Sequence, residues 1–122
     1  MRGDRRPATK GQSAIRRVPS ARGHADHSLW YKDAVVYELH VRTYHDSDGD
    51  GIGDFAGLTE KLDYLHELGV NAIELMPALE FAADFSWGYN PAQIFAIERA
   101  YGGPRALKRL VQAAHQRGIA VI

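Results

Sequence analysis

No cysteine occurs in the 122 residues, so disulfides, thiolate metal sites and a cysteine nucleophile are all excluded. Excess charge is missing too: fifteen Lys and Arg balance fifteen Asp and Glu. No apolar run approaches the ~20 residues that a membrane span requires, and the first residues lack the apolar stretch of a secretory signal. These absences predict a soluble, cytoplasmic protein without a membrane partner. The length allows one small domain with a modest core.

The neutral total conceals two unlike parts. Residues 1–28 carry seven Lys or Arg against Asp4 and Asp26, and are rich in Arg, Ser, Gly and Pro with almost no apolar periodicity. Such a composition buries too little surface to offset the entropy of ordering, which predicts a disordered basic tail. An Arg-rich targeting peptide or nucleic-acid arm shares this composition. The acidic remainder has no basic face interleaved with aromatics, which argues against a nucleic-acid partner.

From Leu29 onward the pattern is that of a folded α/β chain. Residues 33–42, DAVVYELHVR, alternate Val35, Tyr37, Leu39 and Val41 against Val36, Glu38, His40 and Arg42, which predicts a strand. Leu58, Leu62 and Leu65 fall at helical spacing, and Gly69 stands where a helix ends. VNAIEL (70–75) reads as a buried strand stopped by Pro77. A long polar and aromatic connection follows, over 76–103, before a second helix opens at Pro104 with Leu107, Leu110, Val111 and Ala114 on one face and Gly118 closing it. IAVI (119–122) begins a third strand. This alternation predicts a parallel sheet. The helix-to-strand links at Gly69 and Gly118 are minimal, whereas the strand-to-helix links, roughly 43–56 and 76–103, exceed the usual ~2 to 6 residues. Long connections on one side mark a working face at the strands' C-terminal ends.

On that face lies DSDGDGIGD (46–54). Carboxylates at such alternate spacing repel one another unless a cation sits among them, and one bent loop can aim their oxygens at a common centre. Gly49, Gly51 and Gly53 allow the backbone to curl and to offer a carbonyl, that of Ile52 being best placed. Calcium is the first choice and magnesium the second. An EF-hand begins the same way but needs Glu at position twelve, where this loop has Gly57, and a helix where this chain has a strand. The second loop clusters Trp87, Tyr89, Phe95 and Tyr101, flat rings suited to sugar faces, with Asn90 and Gln93 able to bond hydroxyls. Aromatics in a long loop equally serve to pack it down. His115 reads as a hydrogen-bonded or half-exposed residue, and His66-Glu67 lacks the second histidine of a zinc protease helix.

Two stretches, LWYKDAVVYELHVRTYHDSDGDGIGDFAGLTEKLDYLHELGVNAIEL and SWGYNPAQIFAIERAYGGPRALKRLVQAAHQRGIAVI, together resemble the opening of an α-amylase family glycoside hydrolase catalytic domain. The first is most similar to trehalose synthases and α-glucosidases, the second to branching enzymes and trehalohydrolases. The resemblance implies residues 29–122 as the N-terminal part of a (β/α)8 barrel, about three strands and two helices, acting on an α-glucan or α-glucoside substrate. It implies a structural Ca2+ or Mg2+ on Asp46, Asp48, Asp50, Ile52 and Asp54, and Tyr89 as a platform under the sugar, with Trp87 and Asn90 beside it. Asn90 stands where many members have aspartate.

The family's nucleophile, acid/base and third aspartate come from later strands, so the resemblance assigns no catalytic residue here and implies a chain inactive alone. Glu38, Glu74, Glu80 and Asp84 show no sequence pairing that suits a retaining mechanism, whose two carboxylates stand ~5 Å apart across the scissile bond. Glu38, His40 and Arg42 are expected to point into the barrel as a structural set. The alternative reading from the residues is a self-contained calcium- or carbohydrate-binding module.

Overall fold

The computed structural model describes residues 29–82 and 87–122. The tail expected over 1–28 lies outside the described residues, as do Asp84 and Phe85. Along the chain run a 3-10 turn at Trp30–Asp33, strand β1 (Val36–Leu39), a one-turn helix α1 (Val41–Tyr44), α2 (Phe55–Glu60), α3 (Leu62–Leu68), β2 (Ala72–Leu75), β3 (Leu79–Phe81), β4 (Pro91–Ile97), a second 3-10 turn at Arg99–Tyr101, α4 (Gly103–Gln116) and β5 (Ala120–Val121).

The expected parallel sheet is present, in the order β1-β2-β5. Val36 to Leu39 pair residue by residue with Ala72 to Leu75, and Ala72 and Ile73 pair with Ala120 and Val121. Both returning helices end in the same way. Gly69 N–H and Val70 N–H donate to the His66 and Leu65 carbonyls, and Gly118 N–H and Ile119 N–H to those of His115 and Ala114. In this double closure the chain leaves the helix through a left-handed residue and turns at once into the next strand. The side of the sheet that carries Tyr37, Leu39, Ile73 and Val121 packs beneath the helices, against Leu58, Leu62, Leu65 and Leu110, all fully buried. On α4 the innermost positions are Gly103, Ala106, Leu110 and Ala114; Leu107 and Val111, expected to face inward, are only half-buried. Small residues there let the helix approach α2 closely.

The strand expected over 33–42 is shorter than its alternation suggests. Met76 N–H bonds to the Leu39 carbonyl, the last ladder bond to β2; beyond it the His40 carbonyl takes both the N–H and the hydroxyl of Thr43 and closes a helical turn. Val41 stays buried in that turn, so a strand-like pattern persisted where the backbone is helical. The helix expected after the aspartate loop is two helices meeting at Lys61, where ψ opens to 0°. The long connection after β2 is not featureless either. β3 and β4 pair antiparallel through an irregular register, a hairpin standing off the main sheet.

Helix α2 depends on Asp54. Its carboxylate accepts the Gly57 N–H at 2.6 Å, the Ser47 N–H at 3.1 Å and the Ser47 hydroxyl at 2.8 and 2.9 Å, and the residue is buried. Burial pushes this carboxyl up, but the bonds from Gly57 and Ser47 outweigh it and hold the group below the usual carboxylate range. A folded-state value below the unfolded one, ~3.9, gives stability that is complete above that value and is lost as pH falls through the depressed one. The first turn of α2 therefore resists acid until below about pH 4; Asp54→Asn removes that pH step while keeping a capping oxygen, and Asp54→Ala costs about 1–2 kcal/mol at neutral pH, both read by circular dichroism and urea titration. A second expectation reverses a general rule. Gly→Ala inside a helix ordinarily gains up to about 1 kcal/mol, but a Cβ on Gly57 runs into the backbone carbonyl of His45. Gly57→Ala should lose about 1–3 kcal/mol and speed amide hydrogen exchange in α2.

Candidate functional site at the strands' C-terminal edge

Because β1 and β2 are parallel, the connections that leave them emerge from one edge. The first carries the aspartates. Gly49 and Gly51 adopt φ of 82° and 89°, and between them each aspartate folds the chain that follows it. Asp46 accepts N–H groups from Asp48 (3.1 Å), Gly49 (2.7 Å) and Gly51 (2.8 Å); Asp48 accepts from Asp50 (3.2 Å), and Asp50 from Ile52 (2.7 Å). The result brings one oxygen from each of Asp46, Asp48 and Asp50 to within 4.8 Å of the others. The Gly51 N–H, then that of Gly49, hold the Asp46 carboxyl below the usual range. It is thus a ready anion over a wide pH range. Asp48 and Asp50 each keep a second oxygen without a protein donor among the described residues.

The other two residues expected at this centre are Ile52, through its backbone carbonyl, and Asp54. Ile52 is half-buried and packs its side chain on the core, which fixes the loop's returning limb. Asp54 is not part of the three-carboxylate group, and its oxygens serve Ser47 and Gly57 as described. An open concavity of about 400 Å³ adjoins the loop, lined by Arg42, Tyr44, His45 and Asp46 among others. His45 also pairs with Glu60 at 3.3 Å, tying the loop to α2.

The second connection divides its aromatics. Trp87 and Tyr89 are 61 % and 65 % exposed, and Asn90 is exposed beside them. Between the two rings Gly88 presses its α-carbon against the Pro77 carbonyl, which leaves no room for a side chain and pins the pair to the segment leaving β2. Trp87 takes φ of 51°, in the left-handed region that β-carbon-bearing residues rarely adopt. Phe95, expected in the same cluster, lies on β4 and is 93 % exposed. Tyr101 goes the other way. It is fully buried, edge-on to Phe55 at 5.8 Å and tilted against Phe81 at 6.1 Å. One loop therefore supplies both a core plug and exposed rings.

Two arrangements were not foreseen from the sequence. The register sets Glu38 directly beside Glu74, so two carboxylates that no spacing pairs lie on adjacent strands, exposed on the face turned away from the helices. Like charges so placed oppose sheet formation mildly. The Tyr101 hydroxyl also meets His40 Nε2 at 3.4 Å, across 61 residues of sequence. The signal for the first was the shared ELx pattern of the two strands; the second had none. Glu80 bonds the Arg99 N–H at 3.0 Å and serves the hairpin.

Comparison with known proteins agrees with this geometry. The chain is 44 % identical over 91 residues to malto-oligosyltrehalose trehalohydrolase of Saccharolobus solfataricus, covering 75 % of this chain and 15 % of that protein. It is 46 % identical over 94 residues to trehalose synthase of Thermus thermophilus, covering 77 % of this chain and 9 % of that one. Among solved structures, the trehalose-6-phosphate hydrolase of Bacillus licheniformis superposes with a TM-score of 0.72 at 38 % identity, over 76 % of this chain and 17 % of that chain. The chain thus spans less than a fifth of each of these relatives. No described helix is long and apolar enough to cross a membrane. Residues 38–122 match the family described as the alpha amylase catalytic domain, and the chain belongs to that family.

Proposed function

We propose that residues 29–122 form one wall of the (β/α)8 barrel of a soluble, cytoplasmic enzyme acting on α-glucans or α-glucosides. The wall carries a structural calcium on its rim and Tyr89 as a sugar platform. The observation that carries this reading is the convergence of the carboxylate loop and the Trp87–Tyr89 turn on the C-terminal edge of one parallel sheet, where barrels of this kind place their active sites. Relatives named as trehalose synthase, oligo-1,6-glucosidase and trehalohydrolase support the substrate class.

Bond cleavage belongs to carboxylates on other strands. Glu38 and Glu74 stand side by side on one wall, whereas a retaining pair must flank the scissile bond from opposite sides. The wall's own contribution is to hold the sugar. Trp87 and Tyr89 offer aromatic faces, and Asn90 an amide that donates and accepts.

The donor set suits a hard cation. One oxygen from each of the three carboxylates lies within 4.8 Å of the others, close enough for a single hard cation, calcium first and magnesium second, to be shared among them. Asp46, Asp48 and Asp50 would hold it with the Ile52 carbonyl as a further ligand, while Asp54, whose oxygens serve Ser47 and Gly57, would brace the loop from behind. The ion would supply charge neutralisation and would stiffen the loop.

Calorimetric titration with Ca2+ should show one site with a Kd below about 1 mM, weaker binding of Mg2+, and loss of at least ~10-fold in affinity in Asp48→Asn. Absence of any calcium heat would remove the metal from the proposal. The substrate class is tested by exchanging residues 29–122 for the matching segment of the Thermus thermophilus trehalose synthase. The hybrid should keep trehalose synthase activity, and Tyr89→Ala within it should lower kcat/KM by about 10-fold, the equivalent of ~1.4 kcal/mol of lost stacking. A folded, active hybrid indifferent to Tyr89→Ala would remove the platform role.

A further inference from the structure

Tyr101 is completely buried, and among the described residues its hydroxyl has one side-chain partner, Nε2 of His40 at 3.4 Å. Phe55 and Phe81 wedge the ring and hold its hydroxyl oxygen in place. A buried phenol places its proton on an acceptor, and Nε2 is the acceptor within reach among the described residues. With Tyr101 as the donor of this bond, Nε2 carries no proton. Burial, and then the Arg42 charge, hold His40 below the ordinary imidazole value, so the ring is neutral near pH 7. A neutral imidazole with a bare Nε2 bears its proton on Nδ1.

His40 is half-buried and follows directly on Leu39, the last residue of β1. Its side chain makes no second hydrogen bond among the described residues. With Nδ1 protonated, the C-terminal edge of the sheet carries an N–H donor that finds no acceptor among the described residues, beside the loops already described.

We propose that His40 is a substrate-positioning residue whose Nδ1–H donates to a sugar hydroxyl oxygen, and that Tyr101 sets the tautomer that makes it a donor. This rests on the reading that the edge handles α-glucosides. The pair also joins the two working loops mechanically, because His40 opens the aspartate connection and Tyr101 closes the aromatic one.

The test uses the full 122-residue chain with 15N-labelled histidine and maltose as the probe. Ring-nitrogen shifts at a pH of about 7.5 should show His40 protonated on Nδ1, and Tyr101→Phe should release it toward the Nε2–H form. Maltose should move the His40 Nδ1 resonance. An asparagine amide stands near the place of Nδ1 and a glutamine amide near that of Nε2, which separates positioning from packing. His40→Asn should keep maltose affinity within about 3-fold while His40→Gln weakens it about 5–10-fold. A merely structural role gives the reverse order, because glutamine keeps the bond to Tyr101. Protonation on Nε2 in the parent protein, the reversed order, or a maltose response at Tyr89 without one at His40 each overturns the assignment. No maltose response at either residue overturns the glucoside reading together with it.

Discussion

Parallel pairing of β2 with strands on both sides is the constraint from which the rest follows. A parallel neighbour can be reached only by a crossover, so the chain must leave one edge of the sheet and return to the other. Here the return is tightly fixed, since two helices end in the same double-bonded closure and each enters the next strand after three residues. Length can vary only at the departing edge. That is why residues as distant as Asp46 and Tyr89 belong to one face, and why a chain with no paired motif in its sequence still assembles a face rich in chemistry.

Much of this was legible. Helix ends marked by Gly69 and Gly118, the apolar strands after them, and the unequal connections together specified the parallel order. What escaped was decided by contacts remote in sequence. Strand β1 ends where β2 stops offering partners and where Thr43 can cap the His40 carbonyl, while the alternation of residues continues through Val41 regardless. The hairpin was hidden because β4 exposes Pro91 through Phe95, so its pattern is not one of burial. Tyr101 and Tyr89 are the same residue type in one loop, and only the positions of Phe55 and Phe81 determine which becomes core.

The aspartate loop shows the limit of reading chemistry from residue type. Four carboxylates in nine residues look alike in sequence, yet they perform two tasks. Asp54 faces the start of α2 and spends its oxygens on the donors of Gly57 and Ser47. Asp46, Asp48 and Asp50 each accept the N–H two residues ahead, and those bonds shape the loop and gather its oxygens. A cation entering such a loop meets oxygens already gathered. Little of its binding energy is then diverted into folding the backbone, which is the thermodynamic sense of a preorganised site.

The same economy applies to the aromatic turn. Trp87 sits in a backbone region that costs a residue with a β-carbon about 1 kcal/mol or more, and Gly88 is pressed onto Pro77 so closely that no other residue fits. Neither feature adds to the core, because both neighbouring rings are exposed. Strain kept at an exposed aromatic pair is compensated by the packed sheet and α4 rather than locally. A backbone held in this manner sets where the two exposed rings stand, so less chain freedom is lost when a flat surface settles on them.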